Sequence, residues 1–298
     1  MGRIAFVFSG QGDQYPGMGK ALAEHCPAAA KVYALCDQIR PGTSKQCFEG
    51  TAEELRETQN TQPCLFAMEL AASAVLLESG ITPEAVAGFS LGEISAATAA
   101  GLFDLEYGFR LVCLRGALMQ AEAKKSDATM AAVLRLSSEQ VCALAEQFPD
   151  VYPVNFNCPG QVTVSGLKAQ MPAFCAAVKA TGGRALPLNV AGGFHSPFMQ
   201  KAADAFAEEL RNVKLQNPRM PLYSNVTGQP YGDDPASLLS KQIASPVQWE
   251  NTIRNMIHSG IDTFIEVGPG RTLTNMIRKI DPSVTVKTVM DILEELPC

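Results

Sequence analysis

Val86-Ala87-Gly88-Phe89-Ser90-Leu91-Gly92-Glu93-Ile94-Ser95 is a short apolar run that ends abruptly in small residues and then turns helical. It reads as a strand, a sharp turn and a helix, and Gly88-Phe89-Ser90-Leu91-Gly92 fits the G-x-S-x-G nucleophile elbow. A serine on so tight a turn points its hydroxyl away from the backbone, and small flanking residues let strand and helix pass closely. The helix that opens after Ser90 aims free N–H groups and the positive end of its dipole at the reacting centre, where an oxyanion is stabilised. Three fixed positions also suit an ordinary βα turn. The strand-like run before the serine and the alanine-rich residues 93–100 after it favour a nucleophile.

Working outward, residues 4–8 form a continuous apolar, β-branched and aromatic run, the pattern of a buried parallel strand. It ends in Ser9-Gly10-Gln11-Gly12-Asp13-Gln14-Tyr15-Pro16-Gly17-Met18-Gly19, a glycine-rich loop with Gln11 at its tip. This loop is no dinucleotide fingerprint, because Tyr15 stands where the third glycine belongs. Nor is it a P-loop, because Lys20 precedes Ala21 without a correctly placed first glycine. Helices are predicted over residues 19–39, 65–78 after Pro63, and 105–122, where Asp104 has the position of an N-cap.

From Met130 the texture changes. Strands at 130–136, 151–155, 162–165 and 184–190 and helices at 137–148 and 168–180 give the order β-α-β-β-α-β of the split βαβ, ferredoxin-like arrangement. The larger pattern then resumes, with a helix at 197–213, a strand at 221–226, helices at 235–243 and 249–258, a strand at 263–267 and another glycine-rich turn at Gly268-Pro269-Gly270. The expected fold class is α/β: a large α/β-hydrolase-like subdomain with a parallel sheet, residues 1–126 and 194–298, carrying a small ferredoxin-like subdomain, residues 127–193. In such sheets sites gather at the carboxyl ends of strands, and three of those ends carry the Gln11 loop, Ser90 and the Gly268 turn.

Composition narrows the function. The chain has 298 residues, 47% of them hydrophobic, enough to bury a large core. Its formal net charge is -6, with no block of basic residues interleaved with aromatics, which argues against nucleic acid. The nine cysteines are scattered and never in C-x-x-C spacing, so a reducing, cytoplasmic setting is expected and a zinc site or disulfide framework is not. No apolar stretch is long enough to cross a bilayer, and the N-terminal run is too short for a signal peptide.

A serine nucleophile needs a base, most often histidine, and only three histidines are present. His258 falls in the last turn of a predicted helix, where an imidazole suits the negative dipole end. His25 reads as a surface residue. His195 lies in Ala191-Gly192-Gly193-Phe194-His195-Ser196-Pro197, with Ser196 suited to an N-cap and Pro197 to the first helical position. A helix N-terminus beside the imidazole discourages its protonation, as a base requires. An orienting acid is harder to find: between Ser90 and His195 the loop candidates are Asp127 and Asp150, both in the small subdomain. Either a carbonyl from elsewhere orients the histidine, or this is no ordinary hydrolase.

The helix after Asp104 carries two contrasting arginines. Arg110 has Glu106 one turn before it, an ordinary i, i+4 pair. Arg115 has Leu111, Val112, Leu118 and Met119 as helical neighbours. A guanidinium on so apolar a face either snorkels to solvent or has a partner, and a bound carboxylate is such a partner.

Taken together, the Gly10–Gly19 loop, Gly88-Phe89-Ser90-Leu91-Gly92-Glu93, Arg115, Asn157-Cys158-Pro159-Gly160-Gln161, Gly193-Phe194-His195-Ser196 and Glu266-Val267-Gly268-Pro269-Gly270 resemble the malonyl-CoA:acyl-carrier-protein transacylases over nearly the whole chain. The same fold serves as the acyltransferase domain of fatty acid and polyketide synthases. The resemblance implies a ping-pong acyl transfer with malonyl-CoA and acyl carrier protein as partners, no metal or tightly bound cofactor, and a monomer. It implies Ser90 as nucleophile, His195 as base, and an oxyanion hole from the backbone N–H groups of Gln11 and Leu91. It places Arg115 on the malonyl carboxylate and Gln11, Met119, Asn157 and Phe194 around the substrate, and it orients His195 through a backbone carbonyl, here that of Gln242. Phe194 resembles malonyl-selective members, in which the ring leaves little room for an α-methyl group. Ser126-Asp127-Ala128-Thr129-Met130 departs from the glycine-rich approach to the small subdomain that is common in the family. Two other readings are a proofreading acyl hydrolase, which has no need of Arg115, and a non-catalytic carrier scaffold, which has no need of Ser90 and His195.

Overall fold

A computed structural model describes residues 2–190, 192–211 and 213–293. The chain begins with β1 (Ile4–Phe8), α1 (Lys20–His25), α2 (Pro27–Ile39), α3 (Thr43–Glu49), α4 (Thr58–Glu78), β2 (Ala85–Gly88), α5 (Gly92–Ala99) and α6 (Leu105–Lys125). It continues through β3 (Ala128–Leu134), α7 (Ser138–Ala145), β4 (Val151–Cys158), β5 (Gln161–Leu167), α8 (Met171–Ala180) and β6 (Arg184–Pro187). It closes with α9 (Gln200–Arg211), β7 (Leu222–Tyr223), α10 (Pro235–Lys241), α11 (Trp249–His258), β8 (Thr263–Val267), α12 (Thr272–Ile280), β9 (Thr285–Thr288) and α13 (Val289–Leu293).

The strands make two sheets. The first is parallel, in the order β7-β2-β1-β8-β9, and the second is antiparallel, in the order β4-β5-β3-β6. The apolar continuity of β1 follows from its central place. Ile4, Phe6 and Phe8 enter the core on one face, while Ala5 and Val7 enter a second core with Trp249, Ile253 and Phe264 on the other. The antiparallel sheet has its own core, in which Val133, Val162 and Val164 pack on Val141, Phe174 and Val178. It is joined to the 242–248 segment by a short parallel pairing, Phe156 N–H to the Val247 carbonyl at 2.9 Å and Val247 N–H to the Val154 carbonyl at 2.8 Å.

Several boundaries differ from the sequence expectation, each for a local reason. The helix expected at 65–78 begins at Thr58, with Pro63 inside it. Proline removes only the bond to the Gln59 carbonyl, and burial of Thr61, Gln62 and Cys64 offsets the cost of roughly 3 kcal/mol. The 19–39 helix breaks at Cys26, whose extended backbone precedes Pro27. The strand expected at 221–226 ends at Tyr223, because a turn follows in which Gly228 N–H bonds the Ser224 carbonyl. The helix expected at 168–180 starts at Met171, and the strand expected at 184–190 ends at Pro187, with one further bond from the Leu188 N–H to the Met130 carbonyl. The helix expected at 197–213 opens with a 3₁₀ turn, Pro197–Met199, and its final residues include Asn212, outside the described residues, as are Ala191 and Cys298. The short elements α3, β9 and α13 had no expectation.

Two helices frame the site from one side. α4 is buried along most of its length and packs on α6. The closeness is set by Gly116, where a Cβ would lie 3.1 Å from the Thr58 carbonyl oxygen and 3.2 Å from Gln59 Cα. No described helix is long and apolar enough to cross a membrane.

Candidate active site

The elbow depends on missing side chains. A Cβ on Gly88 would lie 1.9 Å from the Gly92 backbone, and one on Gly92 would lie 2.3 Å from the Phe8 carbonyl oxygen. Between them Ser90 has φ 56°, a left-handed conformation that costs a non-glycine residue about 1–2 kcal/mol. Ser90 Oγ lies 2.7 Å from His195 Nε2, and His195 Nδ1 lies 2.8 Å from the Gln242 carbonyl oxygen. A carbonyl can only accept, so the ring proton sits on Nδ1 and Nε2 is free to take the proton of the serine.

His195 is 3% exposed. Burial, reinforced by the Arg115 guanidinium, lowers its pKa to about 4, and ring hydrogen bonds to the Gln242 and Ser245 backbones oppose this only in part. The imidazole is therefore neutral, though burial rather than the helix end is the chief cause. Ser196 does not cap that helix turn with its hydroxyl, which donates to the Gly193 carbonyl instead. Asp127 pairs with Lys168, and Asp150 accepts from the Tyr152 hydroxyl, so neither orients the histidine. His258 ends α11, and His25 is exposed at the end of α1.

Arg115 is fully buried. Its Nη1 donates to Gln62 Oε1 at 2.8 Å, and its Nη2 to Gln242 Oε1 at 2.6 Å and to Ser90 Oγ at 3.2 Å. Nε is buried with no partner. Burial lowers the pKa of the guanidinium to about 10, with Glu93 opposing, so the group remains charged at neutral pH. Arg110 makes the exposed pair with Glu106 that its spacing predicts.

These groups close around a cavity of about 100 Å³. Gln11, Leu91, Met119 and Phe194 line it together with Ser90, His195, Arg115 and Gln62. Asn157 does not. A register shift separates Phe156 from Cys158 in β4, and Asn157 Nδ2 donates to Thr163 Oγ1 at 3.2 Å, while Asn155 lines the cavity in its place. The Gly268 turn also stays out, because Glu266 binds the N–H groups of Leu273 and Thr274 and so anchors α12. A wider groove of about 790 Å³ lies elsewhere, between α2, α4 and residues 213–219. Among the described residues no group of three or more His, Cys, Asp or Glu side chains is arranged to hold a metal ion.

Sequence reasoning missed three residues that hold the site. Gln62 fixes Arg115 from α4, one residue before the proline that obscured the start of that helix. Glu93, directly after the elbow, is fully buried with its pKa raised to about 7 by burial, against the donors Tyr231, Asn225 and Gln242. Its Oε1 accepts from Tyr231 Oη at 2.6 Å and Asn225 N–H at 3.0 Å, and its Oε2 from Gln242 Nε2 at 2.8 Å. Asn225 grips the elbow itself. The only local signal was the placement of Ser224-Asn225 just beyond a strand end.

Comparison with known proteins agrees with this geometry. The acyl transferase domain family matches residues 5–292. The malonyl CoA-acyl carrier protein transacylase of Bacillus subtilis (strain 168) is 36% identical over 299 residues, covering 98% of this chain and 94% of the relative. The crystal structure of the malonyl CoA-acyl carrier protein transacylase from Clostridium perfringens superposes with TM-score 0.93 at 33% identity, over 99% of this chain and 100% of that one. A malonyl-transacylase solved with its type II polyketide acyl-carrier protein gives TM-score 0.91 at 33% identity, again over 99% and 100%. By both sequence and structure, the chain belongs to the acyl transferase domain family and, within it, to the malonyl CoA-acyl carrier protein transacylases.

Proposed function

We propose that this acyltransferase moves the malonyl group of malonyl-CoA to the phosphopantetheine thiol of acyl carrier protein through a malonyl ester on Ser90. His195 Nε2 takes the Ser90 proton as Oγ attacks the thioester carbonyl. The resulting oxyanion is stabilised by the backbone N–H groups of Gln11 and Leu91. Collapse expels CoA, whose sulfur recovers the proton from His195. In the second half the carrier thiol gives its proton to His195, attacks the ester, and Ser90 leaves with that proton.

The observation that carries this reading is the buried guanidinium beside the nucleophile. Arg115 has an unpartnered Nε–H, and its Nη2 is 3.2 Å from Ser90 Oγ, so an acyl group on the serine with a carboxylate at its far end meets a desolvated cation. A hydrolase for neutral acyl groups has no use for that charge. Phe194, lining the small cavity, disfavours an α-methyl branch.

The chemistry needs a serine, an imidazole, oriented N–H groups and a cation, and calls for no metal or cofactor. We assign residues 1–126 and 194–298 to an α/β-hydrolase-like subdomain and residues 127–193 to a ferredoxin-like one. The strand order β4-β5-β3-β6 supports the second assignment. The scattered cysteines, with no disulfide among the described ones, support a reducing, cytoplasmic setting, and we take the protein to act as a monomer. Arg184 and Lys201 are candidates for docking the acidic carrier. Arg271, which also pairs with Asp291, and Arg278, which also donates to the Val286 carbonyl, are two further candidates.

The test is intact-protein mass spectrometry after separate incubation with malonyl-CoA, methylmalonyl-CoA and acetyl-CoA. Malonyl should label the wild type far faster than the other two, and Ser90→Ala should take no label. Equal labelling by acetyl-CoA would remove the role given to Arg115, and a malonyl adduct on Ser90→Ala would remove the nucleophile.

A further inference from the structure

Asn225 follows β7 at the edge of the parallel sheet and is fully buried. Its side-chain amide spans the elbow: Oδ1 accepts the Ser90 N–H at 2.7 Å and Nδ2 donates to the Gly88 carbonyl at 2.6 Å. The amide can sit only one way round, because the first partner is a donor and the second an acceptor. Its own backbone is held on both sides, the N–H by Glu93 Oε1 at 3.0 Å and the carbonyl by the Gln248 N–H at 2.8 Å.

Peptide by peptide, the elbow is immobilised from outside. The Gly88–Phe89 peptide has its carbonyl on Asn225 Nδ2 and its N–H on the Phe8 carbonyl. The Phe89–Ser90 peptide has its N–H on Asn225 Oδ1 and its carbonyl on the Gly92 N–H. In the Ser90–Leu91 peptide the carbonyl accepts from Gln242 Nε2 at 2.7 Å. In a trans peptide the N–H points opposite to the carbonyl. Fixing the Ser90 carbonyl therefore fixes the direction of the Leu91 N–H, and the two peptides before it set the plane from which it departs. Since Asn225 already occupies the Ser90 N–H, the oxyanion donor at this turn is the Leu91 N–H alone.

We infer that Asn225 is a positioning residue for acyl transfer: its amide holds the left-handed turn at Ser90 so that the nucleophile and the Leu91 N–H address the same carbonyl. Asn225 touches neither substrate nor Oγ, so it acts on the rate of ester formation and not on malonyl-CoA binding. The inference rests on the proposed transfer through Ser90.

Two variants test it in the full chain. Asn225→Asp keeps an acceptor for the Ser90 N–H but sets an oxygen against the Gly88 carbonyl, and Asn225→Ala removes both bonds. Single-turnover acylation by malonyl-CoA should slow at least about tenfold in the first and about a hundredfold in the second, the range set by misplacing a reacting group or losing an oxyanion donor. The dissociation constant of malonyl-CoA, measured in the Ser90→Ala background, should stay within about twofold of the parent, because no binding contact is lost. A p-nitrophenyl ester, which needs only nucleophile, base and oxyanion donor, should lose reactivity in parallel. An unchanged acylation rate overturns the inference, as does a loss that the dissociation constant matches, or failure of the near-isosteric Asp variant to fold. If instead the wild type takes p-nitrophenyl acyl groups but no malonyl, the substrate assignment fails and the positioning role is still read from the ester.

Discussion

The elbow at residues 86–95 and the segment at residues 222–248 face each other across the site and obtain their rigidity by opposite means. The elbow sits between two regular elements and is stiff because glycines bring backbones into contact: nothing larger than hydrogen fits at Gly88 or Gly92. The other segment has a two-residue strand, a seven-residue helix and one 3₁₀ turn, Gln242–Ala244. Yet it supplies Asn225, Tyr231 and Gln242, and through them the orientation of Ser90, Glu93, Arg115 and His195. A stretch with little regular structure can be as exact as a strand end when its polar groups are buried and each has a partner.

The largest effect should come from the steric side. Gly88→Ala puts a methyl group into the Gly92 backbone, and the variant should give no soluble folded protein and no malonyl adduct. A cooperative melt near that of the wild type would show that the close approach is dispensable.

Next comes the charge that both regions hold in place. Arg115→Ala should slow malonyl acylation by roughly a hundredfold to a thousandfold, the scale of removing one partner of a desolvated ion pair. Labelling by acetyl-CoA should persist. Unchanged malonyl kinetics would sink the carboxylate assignment.

A smaller loss is expected from the polar side. Tyr231→Phe removes one donor to Glu93 at 2.6 Å and should cost about 1–3 kcal/mol of stability, read in denaturant melts. Acylation should change only a few-fold, because Asn225 and Gln242 still hold the carboxylate. A collapse of activity without loss of stability would move Tyr231 from support into the chemistry.

The smallest effect is one of pH. A base with its pKa lowered to about 4 is protonated, and so disabled, only well below the range of a free imidazole. The acylation rate constant should therefore vary less than about twofold from pH 5.5 to 8. A tenfold fall toward pH 5.5, with the His195 ring resonances titrating over the same range and so distinguishing it from Glu93, would place the working pKa near 6.5 and deny the effect of burial.

The same contrast explains what the sequence made legible. Strands β1, β2 and β8 have strong local patterns, and Ser90, His195 and Arg115 were found because each is an unusual residue for its immediate surroundings. The elbow partners of the Asn225 and Gln242 side chains lie 135 to 152 residues away in the chain, so only the place of Asn225 just beyond a strand end hints at its role. Pro63 concealed the first turns of α4, and with them Gln62. The resemblance put Asn157 beside the substrate, but a register shift in β4 that strand alternation does not foresee turns it to Thr163 and leaves Asn155 on the cavity wall.

Gly116 brings α4 and α6 into close contact next to Arg115. Arg115 and Gln62 sit on either side of that crossing, so the close contact of the two helices keeps Gln62 Oε1 within 2.8 Å of Arg115 Nη1. The placing of the guanidinium across the helix pair thus depends on its neighbour in the chain having no side chain.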